Sequence, residues 1–191
     1  GTGGSAVPAA GTTGAGGLAS GAALHHIGGG LAISGTTFES NQATAGVTPV
    51  SRYYNSSAAR GGAVTVERAE LQVTGCIFLT NSADNSSADG GAIFASSSPS
   101  IDIVNSDFLG NSASGGTERW KDQGNARARG GALHLTNCIA RIDSCFWSGN
   151  AVIGGLVNTA PYSLPAVHSY GGAIFSDGDV SIQKSSFFTN R

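Results

Sequence analysis

One pattern of hydrophobic and polar positions recurs five times along the chain. Each copy opens with Gly-Gly-Ala and an aliphatic residue, at 61–64, 90–93, 130–133 and 171–174, with a variant Gly-Ala-Ala-Leu at 21–24. Two aliphatic positions separated by one residue follow, then an aromatic residue five positions on, then an asparagine three positions further. Apolar residues at every second position predict β-strands that bury one face.

Copies with fixed internal spacing predict a solenoid, because an apolar face this short is buried only when copies stack on one another. The predicted fold is therefore all-β, a parallel β-helix of about five coils at 21–41, 61–81, 90–111, 130–150 and 171–190. The aromatic residues should form an internal column, and the asparagines a ladder of amides at a turn. These positions are Phe38, Phe78, Phe108, Trp147 and Phe187, and Asn41, Asn81, Asn111, Asn150 and Asn190.

The segments between copies vary in length, and all should leave from one corner of the coil. They are residues 42–60, 82–89, 112–129 and 151–170. Residues 1–20 form a Gly/Ala-rich segment, interpreted as an incomplete N-terminal part or a loop of a preceding coil. Because uncapped solenoid ends expose strand edges, further coils are expected before Gly1 and after Arg191.

Composition supports strands and turns, and argues against a nucleic-acid partner and against a membrane span. The chain has 30 glycines, and charged residues make up 12%, about half of the usual share. A net charge of −2 argues against a nucleic-acid binder, which is usually strongly basic. No apolar run approaches the roughly 18 residues of a membrane span, so no membrane span is predicted in this sequence.

The tandem motifs resemble the repeats of the polymorphic outer-membrane protein (Pmp-like) family. The likeness rests on Gly-Gly-Ala-[Ile/Leu/Val] and Phe-x-x-Asn across about 21–191, with Trp147 replacing Phe and Ala22 replacing the second Gly in one copy each. It implies a right-handed parallel β-helix displayed at a cell surface or outside the cell, with adhesion as its role.

Parallel β-helices also carry polysaccharide lyases and glycoside hydrolases, whose sites need paired acids or a bound Ca²⁺ on neighbouring coils. The repeat columns align no two acids on adjacent coils, and they place Asp102 beside Arg141 as an exposed ion pair. His25 and His134 share a column but lie three coils apart, too far to share a metal ion. We therefore predict no catalytic residue, cofactor or metal, and keep a lyase or hydrolase as an alternative.

The sequence allows two kinds of covalent modification, a disulfide and N-glycosylation. Cys138 and Cys145 fall within one coil and form a disulfide if their strands face each other; otherwise they are small buried residues. The sequons at Asn55 and Asn85 lie in connections, where an N-glycan fits if the route is secretory.

Tyrosine, tryptophan and arginine, which are enriched in binding hot spots, concentrate in the connections. The sequence therefore predicts a non-catalytic rod that binds proteins or glycans through its loops. The alternative is a structural segment of a larger extracellular fibre, whose loops contact further subunits. The candidate contact residues are Tyr53, Tyr54, Arg119, Trp120, Lys121, Arg127, Arg129, Tyr162 and Tyr170.

Overall fold

The computed structural model describes residues 17–46, 58–85, 87–118, 127–157 and 168–191. They form short strands arranged in five stacked layers. Layer 1 contains β1 (Ala19–Ser20), β2 (Leu24–Ile27), β3 (Gly30–Ser34), β4 (Thr37–Glu39) and β5 (Gln42–Thr44). Layer 2 contains β6 (Ala58–Arg60), β7 (Val64–Glu67), β8 (Glu70–Thr74), β9 (Ile77–Leu79) and β10 (Ser82–Asp84).

The remaining layers repeat this order. Layer 3 contains β11 (Ser87–Asp89), β12 (Ile93–Ser96), β13 (Ile101–Val104), β14 (Asp107–Leu109), β15 (Ser112–Ser114) and β16 (Thr117–Glu118). Layer 4 contains β17 (Ala128–Arg129), β18 (Leu133–Thr136), β19 (Ile139–Asp143), β20 (Phe146–Ser148), β21 (Ala151–Ile153) and β22 (Leu156–Val157). Layer 5 contains β23 (Ser169–Tyr170), β24 (Ile174–Ser176), β25 (Asp179–Gln183) and β26 (Ser186–Phe188).

Strands at the same position in successive layers pair in parallel and build sheets that run along the stack. Sheet I is β1-β6-β11-β17-β23, sheet II is β2-β7-β12-β18-β24, and sheet III is β3-β8-β13-β19-β25. Sheet IV is β4-β9-β14-β20-β26, sheet V is β5-β10-β15-β21, and β16 pairs with β22. The predicted all-β parallel solenoid is thereby confirmed.

The number of coils is smaller than predicted. Phe78, Phe108 and Trp147 in the middle layers are 0% exposed, whereas Phe187 in layer 5 is 46% exposed. Only layers 2 to 4 are covered on both sides by other described residues, so the stack amounts to about three complete turns. The prediction of five coils is slightly off, because it counted the two outer layers as full coils.

The main core lies inside sheets II, III and IV and consists of the predicted columns. The aromatic rings of successive layers lie nearly parallel. Their centroids are 4.9 Å apart between Phe38 and Phe78, 4.7 Å between Phe78 and Phe108, 3.9 Å between Phe108 and Trp147, and 5.8 Å between Trp147 and Phe187. Buried aliphatic positions such as Leu71 and Ile101 stack in the same way on sheet III. Ring stacking thus continues through every layer, and the aliphatic positions of sheet III are buried in layers 2 to 4.

The asparagine ladder fills the corner between sheets IV and V. In the middle of the ladder, Asn111 donates from its backbone N and its Nδ2 to Oδ1 of Asn150, at 3.0 Å each. Its Nδ2 also donates back to the carbonyl of Phe78 at 2.9 Å. Asn81, Asn111 and Asn150 therefore each bond both the next amide and the backbone of the previous layer, as the repeat predicted.

The paired glycines do two different things. The first glycine of a pair has a positive φ, for example +68° at Gly90, which suits residues without a Cβ. The second has no such φ, but a Cβ on Gly91 would overlap the carbonyl oxygen of Gly131 in the next layer. The pair therefore sets both the turn and the contact distance between layers.

A second, smaller core lies between sheets I and V, inside segments that the sequence suggested were only connections. It consists of Ala45, Ala59, Ala83, Ala88, Ala113 and Ala128, with Val152 packed against it. In layer 4, Ala151 pairs with Ser112, and Val152 pairs with Ala113, so valine takes the alanine position of this column. Alanine is small enough to let the two sheets approach closely.

The disulfide alternative is wrong in this structure. All three cysteines are free and buried. The Cys138 thiol contacts the carbonyl of Ala95, and that of Cys145 contacts the carbonyl of Ile103, at different corners of the coil. Burial raises the pKa of both thiols, so they are small core residues and not reactive groups.

Candidate functional site

The connections leave and return along one side of the stack, which we call the loop flank. It comprises sheet I and the outward side chains of sheet II. Sheet V ends where the connections begin, and sheet I starts where they end, so all of them project from the same corner. In layers 3 and 4 the connections begin side by side as the parallel pair β16 and β22. The predicted single corner is therefore confirmed at the described ends of the connections.

A buried ionic network lies on this flank. Asp89 and Arg129 precede the glycine pairs of layers 3 and 4 and are register partners in sheet I. Arg129 donates to Asp89 from Nε at 2.9 Å and from Nη2 at 3.1 Å, a bidentate pair. His134 in sheet II places Nδ1 3.1 Å from Asp89 Oδ1, but its N–H direction does not meet hydrogen-bond geometry. The histidine therefore makes a close polar contact with the carboxylate and no hydrogen bond to it.

The Asp89 carboxylate is held in its ionised form. Burial alone would raise the pKa of Asp89, but His134 and then Arg129 outweigh burial and lower it below its ordinary value. The side chain is only 4% exposed, so screening by solvent is weak. This carboxylate therefore links layers 3 and 4 electrostatically.

Aromatic rings enclose the network. The His134 ring meets Phe94 and Phe175 edge-on, at centroid separations of 5.2 and 5.0 Å. The guanidinium of Arg60 lies 5.1 Å from the Phe94 ring centre, and that of Arg129 lies 5.7 Å from the Phe175 ring centre. Alternating cations and rings in adjacent layers stabilise the flank through cation–π contacts.

Asp89, His134 and Thr136 are arranged as a carboxylate, an imidazole and a hydroxyl, with Nε2 of His134 2.9 Å from Oγ1 of Thr136. This order of groups also occurs in hydrolytic triads. Here His134 is 1% exposed and its ring is enclosed between two phenylalanines, so a substrate cannot reach its nitrogens. The arrangement serves as a cross-layer tether.

We expect Asp89→Asn to destabilise the protein by about 3 kcal/mol at neutral pH, because it breaks a buried ion pair. The lowered pKa of Asp89 in the folded state determines how this stability changes with pH. The carboxylate contributes stability above its unfolded pKa of about 3.9, and the contribution is lost as pH falls through the folded-state pKa. Urea unfolding from pH 7 to 3 should show the stability difference between wild type and variant beginning to narrow only below about pH 4.

Asp102→Asn is the matched control, because Asp102 is also paired with an arginine in the next layer. The Arg141 Nη1 to Asp102 Oδ1 distance is 3.0 Å, and these side chains are 49% and 43% exposed. Removing an exposed pair should cost at most about 1 kcal/mol. Equal losses in the two variants, or no convergence for Asp89→Asn below pH 4, would contradict the role assigned to Asp89.

The predicted contact residues divide into three groups. Tyr53, Tyr54, Arg119, Trp120, Lys121 and Tyr162 lie outside the described residues, as does the sequon residue Asn55. Arg127 and Tyr170 are exposed on the loop flank, and the Tyr170 ring stacks with that of His168 at 5.8 Å. Arg129 differs, because its guanidinium is used by Asp89 and Phe175, which makes it a poor choice for a partner contact.

The other predictions on described residues are placed as follows. Asn85 lies in the turn between β10 and β11 with φ 74° and is half-buried. His25 and His134 share a column, as predicted, with Thr65 and Phe94 at the same position in the two layers between them. The Nε2 atom of His25 lies 3.6 Å from Oε1 of Glu67. Asp102 and Arg141 form the predicted ion pair, and Arg141 also contacts Asp143.

The described ranges lack two other kinds of feature. They contain no group of three or more His, Cys, Asp or Glu side chains arranged to hold a metal ion. Nor do these ranges include a helix of the length and apolarity that crossing a membrane requires.

Sequence reasoning missed the Asp89–Arg129–His134 network. Its signal was present, since Asp89 and Arg129 both immediately precede a glycine pair and so share a column.

Compared with family models, with curated proteins and with solved structures, the chain finds no match. The geometry by itself therefore defines the chain as a parallel β-solenoid with a loop flank.

Proposed function

We propose that this chain is a non-catalytic rod, displayed at a cell surface or outside the cell, that binds proteins or glycans through its loop flank. The observation that carries the proposal is that every connection leaves from and returns to this one side. Loops on a rigid scaffold are the usual place for binding residues, since they vary without disturbing the core. The tandem motifs, which resemble Pmp-like repeats, support the same role in adhesion.

The test uses a flank variant that spares the buried network. Trp120→Ala combined with Arg127→Glu and Tyr170→Ala changes two exposed flank residues and one connection residue, and leaves Arg129 intact. Binding would be measured on glycan arrays and to intact cells with the labelled chain. We expect at least about a tenfold loss of affinity for whatever the wild type binds, with the melting temperature nearly unchanged.

Thr74→Glu with Lys184→Glu is the control, because both residues are exposed at sheet III, away from the loop flank. The control should bind as the wild type does. Equal binding by the flank variant and the wild type would reject the flank as the contact surface.

An enzyme is the weaker candidate. Lyases and hydrolases of this fold need acids on neighbouring coils. In sheet III, the register partners of Asp102 are Gln72 and Arg141, and those of the buried Asp143 are Val104 and Gln183, so neither acid has an acid as its register partner. Turnover of pectic or neutral polysaccharides by the wild-type chain would favour the enzyme over the binding rod.

A further inference from the structure

The outward face of sheet IV carries an apolar surface in layers 2 to 4, which we call the sheet IV strip. Ile77 and Phe146 on this face are 38% and 42% exposed, and Leu79 and Leu109 are half-buried beside them. The strands that carry them, β9, β14 and β20, each pair with a strand on both sides. The exposure is therefore that of a sheet face and not of a stack end. Apolar side chains that stay accessible side by side are typical of a contact surface.

One acid lies in the middle of the sheet IV strip. Asp107 has Ile77 and Phe146 as its register partners in layers 2 and 4, and Leu109 follows it on the same face of β14. Within the described part of the chain, no side-chain hydrogen bond or ion pair reaches its carboxylate. Asp102 on sheet III, by contrast, is paired with an arginine of the next layer. The strip thus combines apolar surface with one unmatched negative charge.

We propose that the sheet IV strip binds an amphipathic helix of a partner protein, in which one Lys or Arg lies between two apolar side chains. The cation pairs with Asp107, and the apolar side chains cover Ile77 and Leu79 on one side of it and Phe146 on the other. Covering the strip with apolar groups alone would leave a desolvated, unpaired carboxylate, which opposes binding. The charge of Asp107 therefore selects the partner. This inference does not depend on the binding role proposed for the loop flank.

The spacing of the layers favours a helix that runs along the stack. Ile77, Asp107 and Phe146 occupy successive layers, so the two outer residues are roughly 9.6 Å apart at the usual strand spacing. Residues i, i+4 and i+7 of a helix lie on one face and span about 10.5 Å, nearly the same length. Residues i, i+2 and i+4 of an extended segment span about 13 Å and overshoot the strip. Helices commonly dock on apolar surfaces through this set of positions.

Two other occupants fit the sheet IV strip less well. In a two-fold contact between the strips of two copies, Asp107 lies opposite itself when the layers run in opposite directions. When the layers are aligned, it lies opposite Leu109 of the second copy. Neither arrangement supplies a cation. A glycan presents hydroxyls that need hydrogen-bond partners, and the aliphatic side chains of Ile77, Leu79 and Leu109 offer none.

The test uses two synthetic helical probes. The first is a labelled, capped peptide of about 18 alanine and glutamine residues that carries Leu, Arg and Leu at positions i, i+4 and i+7. The second has Glu in place of the Arg. Their affinities for the full 191-residue chain are measured by fluorescence anisotropy. Because the strip is small, we expect a dissociation constant of about 100 µM for the Arg peptide and at least about tenfold weaker binding of the Glu peptide.

Variants of the chain assign the binding to the sheet IV strip. Asp107→Lys should reverse the preference, so that the Glu peptide binds more tightly than the Arg peptide, and Phe146→Ser should weaken the Arg peptide by about threefold or more. Glu70→Lys is the matched control, because Glu70 is an exposed acid on sheet III and its replacement changes the net charge by the same amount. It should keep the preference for the Arg peptide. All three variants change outward side chains, so their melting temperatures should stay close to that of the wild type.

Four results would overturn the proposal. Two concern the probes: no binding of the Arg peptide up to about 1 mM, or a preference that Asp107→Lys leaves unchanged. The other two assign the strip to a different occupant. One is a concentration-dependent dimer of the wild type that Phe146→Ser abolishes. The other is binding of an uncharged glycan that Phe146→Ser abolishes and Asp107→Lys does not.

Discussion

Replacing Gly91 with alanine is expected to destabilise the protein by about 3 kcal/mol or more, one of the two largest effects that we predict. The new Cβ would overlap the carbonyl oxygen of Gly131 and would come within 2.5 Å of that of Ser112. Both obstacles are backbone atoms of the tightly stacked layers 3 and 4, so a side-chain rotation cannot relieve them. Thermal unfolding should show a drop of about 6–12 °C in the melting temperature.

Gly30→Ala is the matched control for this glycine. Gly30 lies in β3 with an ordinary φ, and a Cβ there would meet nothing within 4 Å. Alanine should be neutral or should stabilise the fold by up to about 1 kcal/mol. Equal changes in stability for the two substitutions would contradict the close contact between layers at the glycine pair.

Asn111→Ala should cost about 4 kcal/mol, because it removes four hydrogen bonds at a buried position. The side chain accepts from the backbone N and Nδ2 of Asn81 and donates to Phe78 O and to Asn150 Oδ1. Each buried partner left unpaired costs about 1–3 kcal/mol, although partial relaxation reduces the sum. Urea unfolding should show a lower midpoint with an unchanged slope.

The same substitution at the end of the ladder should be much milder. Asn41 is only half-buried, and its side chain donates to Asn81 Oδ1. Asn41→Ala should therefore cost about 1 kcal/mol. A loss at Asn41 as large as that at Asn111 would mean that burial within the ladder is not what makes the asparagines stabilising.

The main core could be predicted from sequence because its period is strict. The spacing from Ile103 to Phe108 to Asn111 recurs in each copy, so strand register, aromatic column and amide ladder all follow from one alignment. The exposed pair of Asp102 and Arg141 followed from the same alignment and is confirmed at 3.0 Å. Local spacing sufficed because each layer contacts only its neighbours.

The second core and the buried network were harder to predict, for physical reasons. Alanines such as Ala59 and Ala88 carry a weak hydrophobic signal, and their segments are only two or three residues long. The burial of His134 does not follow from its position in the repeat, because it depends on how sheet I lies against sheet II at the glycine turn. The period of the repeat does not determine the angle between sheets I and II at this turn, so these contacts could not be predicted from the sequence.

The central claim is that equivalent positions of successive copies are parallel register partners. It is tested most directly by disulfide cross-linking of introduced cysteine pairs on exposed positions of sheet III, read by peptide mass spectrometry. Ala32 faces Gln72, while Thr74 faces Ser34 and so lies two residues out of register with Ala32. Parallel neighbours about 4.8 Å apart are within reach of a disulfide, whereas the offset pair is about 8 Å apart and is not. We predict efficient oxidation of Ala32→Cys with Gln72→Cys and little with Thr74→Cys; the reverse result would contradict the stacked-layer account.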